Sequence, residues 1–262
     1  MNNIQKKGIR RAFEQGKAFI AFVTGGDPTI ETTEKLIPAM EAAGADLIEI
    51  GIPFSDPIAE GIVIQNANER ALGNGTTTDK IFDMVERIRN KVSVPIVFLT
   101  YLNPIYTYGP KRFMERCTKA GVEGLIIPDM PFEEKIELAP ICQEYGVDII
   151  SMIAPTSHER IQMVAKEAEG FVYCVSSMGV TGVRSQIKTD IGSMIKAVRE
   201  VTSVPCAVGF GISTPEQAKE MSRLADGAIV GSAIVKIVEK YGENCLEPVC
   251  DYVKSMKDAI RK

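Results

Sequence analysis

Acidic side chains set among apolar neighbours are the first chemistry this sequence offers. The segment LIEIGIPFSDPIAEGIVIQNAN, spanning 47–68, holds Glu49 between Ile48 and Ile50. Successive side chains of a strand alternate faces, so the two isoleucines point one way and Glu49 the other. If that second face looks into a barrel interior, the carboxyl is desolvated and its pKa rises, as a general acid requires. The competing reading is a solvent-exposed acid or one paired with Lys or Arg, which suits a buried Ile-Glu-Ile strand less well. The following loop adds Asp56 and Glu60. Ser55-Asp56-Pro57 also fits a plain turn, and Glu60 reads equally as a functional acid or a solvated one. Other acid–base candidates are few. His158 is the single histidine and falls in the first turn of a helix, at the surface. Ser-His-Asp and Cys-His sites are therefore not expected, and carboxylates or Tyr must do any proton transfer.

A second signal is glycine. GFGIS (209–213) closes one apolar run, VGSAIV (230–235) closes the next, and SSMGVTGV (176–183) follows the one before. Glycine lets backbone N–H groups approach a phosphate, and a helix beginning at Ser232 would add its dipole. No Lys or Arg interrupts the two later loops, so an anion there would be held by backbone donors. Two such loops on consecutive strands, with a third before them, favour a phosphate site over ordinary tight turns. The loop SSMGVTGVRSQ has glycine hinges and polar ends, the make-up of a water-excluding lid or of a simple connector. Tyr173 is either a ligand contact or core packing. Phe19, Phe22 and Phe210 either line an apolar pocket or fill the core.

The elements that must position these groups are short apolar runs: 18–26, 46–53, 94–101, 124–129, 148–155, 170–177, 204–213 and 227–235. Most are continuous rather than alternating, as for parallel strands buried on both faces. AGAD, AGVE, YGVD and LADG stand at strand entries, where a helix C-terminus turns into a strand. VSVPI is echoed by TSVPC, so one supersecondary unit is used repeatedly. Between the runs, Ile81, Met84, Val85 and Ile88 form one helical stripe, and Ile191, Met194, Ile195 and Val198 another. Thr156 with Glu159 reads as a capping box, and Thr214-Pro215 as an N-cap before a first-turn proline. Pro140 is expected to split 133–145 into two short pieces, the second starting near Leu138. Eight strand–helix alternations without a polar edge strand predict a closed (β/α)8 barrel, and no linker divides it, so 1–262 reads as one domain. The interval from the second run to the third is about 48 residues, the longest, which places extra material after strand two. Loops after strand C-termini build the active sites of such barrels.

Composition narrows the function classes. The 262 residues are 45% hydrophobic and 24% charged, with 30 Lys and Arg against 34 Asp and Glu, a formal net charge of -4. Nucleic-acid binding wants the opposite sign in a patch, and the only dense basic cluster is Lys6, Lys7, Arg10 and Arg11, on a short polar helix. Six Cys, at 117, 142, 174, 206, 245 and 250, form no CxxC pair, so no metal site is expected. Cys174 and Cys206 read as small buried hydrophobes. No signal core or membrane-length apolar run is present, and a cytoplasmic location is expected.

EIGIPFSDPIAEG, with FVTGGDP upstream and PDMP, GVTG, GFGIS and GSAIV downstream, resembles the tryptophan synthase alpha chain family, in order from Phe19 to Val235. The resemblance implies a TIM barrel with a phosphate site at its C-terminal face. It implies cleavage of indole-3-glycerol phosphate to indole and glyceraldehyde 3-phosphate, with no cofactor or metal in this chain. Indole would then pass to a pyridoxal-phosphate beta chain in an α2β2 complex. Glu49 matches the family's catalytic Glu. Glu60 falls where the family usually has Asp, and Ile62 where it usually has Pro. Phe22, Ile64, Leu99 and Tyr173 match pocket-lining positions, Thr181 and Gly182 the lid, and Gly209, Gly211, Gly231 and Ser232 the phosphate site, around Phe210. Phe54, Asp56, Pro57, Asn103, Pro104, Asp129 and Pro131 lie where the family meets its beta partner. Alternatives are a stand-alone indole-glycerol-phosphate lyase and a non-catalytic phosphate-binding barrel that regulates a partner. Another phosphate-handling barrel enzyme would want a Lys or Arg that these loops lack.

Overall fold

The structure, a computed structural model, describes residues 8–175, 190–209 and 211–261. Nine parallel strand segments form one sheet: β1 (Ala18–Thr24), β2 (Leu47–Gly51), β3 (Ile96–Leu99), β4 (Gly124–Ile126), β5 (Asp148–Ile149), β6 (Ser151–Ile153), β7 (Val172–Val175), β8 (Cys206–Gly209) and β9 (Gly227–Val230). Their order is β5-β4-β3-β2-β1-β9-β8-β7-β6. The two ends of that ladder are consecutive in the chain, separated only by Ile150. β5 pairs with β4 and β6 with β7, and Ile150 N–H donates to the Leu125 carbonyl at 2.9 Å. The fifth apolar run is thus one barrel strand whose first half bonds to one neighbour and whose second half bonds to the other. The expected eight-strand barrel closes through it.

Alternation sorts the side chains into two layers. Ile48 and Ile50 of β2 pack outward against the helices, with Phe19, Ala21 and Val23 of β1. Leu47, Ile20, Val97, Ile126, Tyr173, Ala207 and Ile229 pack inward. Ile9 and Ala12, from a 3-10 turn at Ile9–Phe13, join that inner cluster. The basic cluster foreseen there is therefore only partly polar. Arg11 is ion-paired with Glu123, and Lys6 and Lys7 lie outside the described residues.

The outer layer consists of α1 (Ile30–Ala42), α2 (Ile62–Gly73), α3 (Thr78–Ile88), α4 (Leu102–Tyr108), α5 (Pro110–Ala120), α6 (Lys135–Tyr145), α7 (His158–Lys166), α8 (Ile191–Arg199), α9 (Pro215–Leu224), α10 (Ser232–Tyr241) and α11 (Leu246–Arg261). The stripes foreseen on α3 and α8 are buried throughout. The extra material after β2 is a loop from Ile52 to Gly61 followed by α2. Thr214 caps α9 in a complete capping box with Gln217. Two local expectations are corrected. The cap of α7 is Ser157, whose hydroxyl accepts the Arg160 N–H; Thr156 lies one residue too early to reach that donor. α6 runs unbroken through Pro140, and the only division is a 3-10 turn at Phe132–Glu134. The bond that proline forgoes would have ended on the carbonyl of Ile136, whose residue is 76% exposed and so leaves water room to serve. Among the described residues no helix is long and apolar enough to cross a membrane.

Candidate active site

β2 pairs with β1 and β3 on either side, setting Glu49 beside Phe22 and Val97. Because Leu47 and Glu49 share a face, Glu49 enters the barrel interior at the C-terminal end of its strand. It is 1% exposed, and its Oε2 has no hydrogen-bond partner among the described residues. A buried polar atom left unpaired is costly, and such atoms concentrate where a ligand supplies the partner. Burial, and secondarily the nearby charge of Glu60, push the Glu49 carboxyl from 4.5 up to about 8. The same burial raises the Tyr173 phenol, with Glu49 adding to it.

Glu60 reaches the same cavity from the loop after β2. It is 3% exposed, which settles its ambiguity in favour of a buried acid. The Tyr101 hydroxyl donates to Glu60 Oε2 at 2.6 Å and accepts from the Ala59 N–H at 3.1 Å. Gln65 Nε2 donates to the Glu60 carbonyl at 2.7 Å, tying the loop to the first turn of α2. Burial lifts the Glu60 carboxyl to about 7; the bond from Tyr101 opposes that rise and the charge of Asp129 adds to it.

The two carboxyl groups open on one cavity. Phe22, Ile64, Leu99 and Tyr173 line it, as the sequence suggested, together with Ala59, Pro128, Met152, Ile212 and Ile229, which it did not single out. An apolar cleft with a few convergent polar groups suits a flat aromatic ligand. Phe19 belongs instead to the outer core.

Gly211, Gly231 and Ser232 form part of the wall. Gly211 has φ +82°, a conformation that side chains disfavour. Ser232 opens α10, and by helix geometry its N–H and the two after it have no carbonyl four residues back. Those donors and the positive end of the dipole are suited to holding an anion without a cationic side chain. Gly209 plays a different part: a Cβ there would lie 2.5 Å from the Tyr173 hydroxyl oxygen, so its bareness makes room for that ring. Thr181, Gly182 and Phe210 lie outside the described residues.

The positions foreseen for a partner gather on the same end of the barrel, in the loops after β2 and β4 and at the start of α4 after β3. Asp56, Asn103 and Pro131 are exposed, and Phe54, Pro57, Pro104 and Asp129 half-buried. Phe54 packs on Tyr101, ring centroids 5.3 Å apart. Asp129 accepts the Leu102 N–H at 3.0 and 3.2 Å, fixing the start of α4. Ile58, Ile62, Tyr106 and Ile136 are large apolar side chains left exposed, at 70, 67, 48 and 76%. Tyr101, the hydrogen-bond partner of Glu60, is the residue beside the site that the sequence reading passed over. Its position at the C-terminal end of the third run, where barrel sites are built, was the available signal. His158 stays outside the site, its imidazole 3.0 Å from Glu200 at the surface.

Known proteins share both the sequence pattern and the fold of this chain. Residues 10–261 match the family model described as tryptophan synthase alpha chain. The tryptophan synthase alpha chain of Lacticaseibacillus casei is 46% identical over 248 residues, 95% of this chain and 93% of that one. That of Thermoanaerobacter sp. (strain X514) is 46% identical over 262 residues, covering 99% and 100%. Among solved structures, the Legionella pneumophila tryptophan synthase alpha chain superposes with a TM-score of 0.87 at 33% identity, covering 97% of each chain. A chain of Mycobacterium tuberculosis tryptophan synthase superposes with a TM-score of 0.88 at 31% identity, covering 97% of this chain and 98% of that one.

Proposed function

This chain belongs to the tryptophan synthase alpha chain family, and from that premise we propose that Glu49 and Glu60 are the groups with which it splits its substrate. The alpha chain is a lyase of tryptophan biosynthesis. It cleaves indole-3-glycerol phosphate to indole and glyceraldehyde 3-phosphate, with the beta chain as its partner.

The cleavage is a retro-aldol reaction. Carbon 3 of the indole takes a proton, so the ring becomes an electron sink. The hydroxyl on the glycerol carbon next to the ring then loses its proton as the carbon–carbon bond breaks. The bonding pair returns to the ring and releases indole, and the glycerol carbon leaves as an aldehyde. Glu49 gives the first proton and, now a carboxylate, takes the second, so it ends as it began. Glu60, held ionised, faces the positive charge that spreads onto the ring N–H. The amides around Gly211, Gly231 and Ser232 grip the phosphate, Gly209 leaves room for the Tyr173 ring, and the family resemblance adds Phe210, Thr181 and Gly182. The observation that carries this reading is the buried Glu49 carboxyl inside the cavity, its Oε2 without a hydrogen-bond partner among the described residues. Its raised pKa keeps it protonated near neutrality, as the first step demands, while the lower value of Glu60 lets that group ionise first.

One carboxyl makes both proton transfers and the other faces the ring charge, so the step needs no cofactor in this chain; pyridoxal phosphate belongs to the beta partner. The exposed apolar side chains around Asp56, Asn103 and Pro131 favour an α2β2 assembly over a stand-alone lyase. A competent Glu49 favours catalysis over mere regulation. We further read residues 1–262 as one domain and place the enzyme in the cytoplasm, where its free thiols stay reduced. The test is indole release from indole-3-glycerol phosphate, measured alone and with a beta chain. Glu49→Gln is expected to lose about 10²–10⁴-fold; a variant with near-normal release would contradict the assignment.

A further inference from the structure

We propose that Tyr101 is a positioning residue for the cleavage: its hydroxyl clips Ala59 and Glu60 together, so that Glu60 presents its second carboxylate oxygen, Oε1, to the substrate ring. The inference rests on the cleavage reading above and deepens it.

The geometry of one hydroxyl carries the argument. A phenol has one proton to give. The Ala59 N–H occupies an acceptor site on the Tyr101 oxygen at 3.1 Å, and Glu60 Oε2 lies 2.6 Å away. The backbone amide can only donate, so the phenolic proton is the one directed at Glu60. A carboxylate is the better acceptor for it than a neutral acid, and the arrangement selects the ionised form of Glu60. Tyr101 itself is held on three sides. It is 2% exposed, Phe54 stacks on its ring, and Asp129 takes the N–H of the next residue, Leu102. The longer arm of Glu60 is thereby fixed at its tip.

The described ionisable groups facing Glu60 are Glu49 from β2, Tyr101 at the start of α4 and Asp129 from the loop after β4; Tyr173 from β7 faces Glu49. Asp129 disfavours a charge on Glu60, whereas Glu49 is still protonated over the range in which Glu60 ionises. Among these neighbours, Tyr101 alone favours it, and so adds to the order that the deeper burial of Glu49 sets, with Glu60 ionising first.

The experiment is the pH profile of kcat/KM for indole release by the full chain with its beta partner. Tyr101→Phe removes the hydroxyl and keeps the ring. Its acid limb is expected to move up by about one pH unit, with release near pH 6.5 falling about tenfold. In a Glu60→Gln background the same substitution should cause no further loss. Replacing Tyr101 with 3-fluorotyrosine, a stronger donor of nearly the same shape, should move the limb down instead, and it keeps the test alive should the Phe variant fold poorly. A Tyr101→Phe profile superimposable on the wild type, an equal loss in the Glu60→Gln background, or an unmoved limb with fluorotyrosine would overturn the inference. The two readings fail separately. A wild-type chain that releases no indole with its partner defeats the cleavage reading, whereas an active wild type with an unmoved limb defeats only the role of Tyr101.

Discussion

A carboxyl raised to about 8 leaves a mark on stability as well as on rate. Between its ordinary value of 4.5 and about 8, Glu49 holds its proton in the folded chain and releases it in the unfolded one. The folded state binds more protons over that interval, so stability falls as pH rises through it. Glu60 acts in the same sense up to about 7. Glu49→Gln removes the larger contribution. Thermal unfolding should show the variant gaining on the wild type from pH 5 to pH 8, by on the order of 3 kcal/mol at the upper end. Parallel stability curves for the two proteins would show that the carboxyl is not desolvated. Glu49 was legible in the sequence because alternation is a local rule: an acid between two isoleucines has to face the opposite side. The burial of Glu60 was not, since a loop has no period and the partner of its carboxylate, Tyr101, is 41 residues further on. Tyr101 was hidden for the same reason, looking like one more apolar residue at the end of a run.

Helices and strands were readable wherever one spacing decided them. The stripes of α3 and α8 and the Thr214 cap needed only residues within a turn or two of each other. The errors came where two neighbouring residues offered the same chemistry. Thr156 and Ser157 are both capable caps, and backbone direction chose the second. Pro140 failed to break α6 because a single missing N–H is tolerable where the partner carbonyl is near water. Long-range ties were out of reach altogether. Lys257 of α11 is 4% exposed and donates to Asp46 Oδ2 at 2.6 Å and to the Lys17 carbonyl at 2.8 Å. The same carboxylate oxygen accepts the Phe19 N–H at 2.6 Å. The last helix is thereby fastened to the entry of β1 and to the residue before β2. Truncating one partner of such a pair strands the other charge and costs about 3 kcal/mol. Lys257→Ala should lower the urea midpoint accordingly with an unchanged slope. An unaltered midpoint would mean that the contact contributes nothing.

At the scale of the whole molecule, the barrel puts the described groups of the site at one end. Eight recurring strand–helix junctions foretold that closure, because each unit buries its strand only by joining the next. The broken fifth strand was not foretold, since a continuous apolar run conceals a change of pairing partner at Ile150. The same end of the barrel carries Ile58, Ile62, Tyr106 and Ile136 in water, an arrangement that a covering partner relieves. Closing such a mouth would dry the cavity further and strengthen each electrostatic contact within it.

The account depends on two acids in one dry cavity, one protonated while the other is charged. The pH dependence of kcat/KM for indole release tests this most directly, because it reports the ionisations of the free enzyme. The expected profile rises through about 7 as Glu60 ionises and falls through about 8 as Glu49 loses its proton. A profile flat from pH 6 to pH 9 would contradict it.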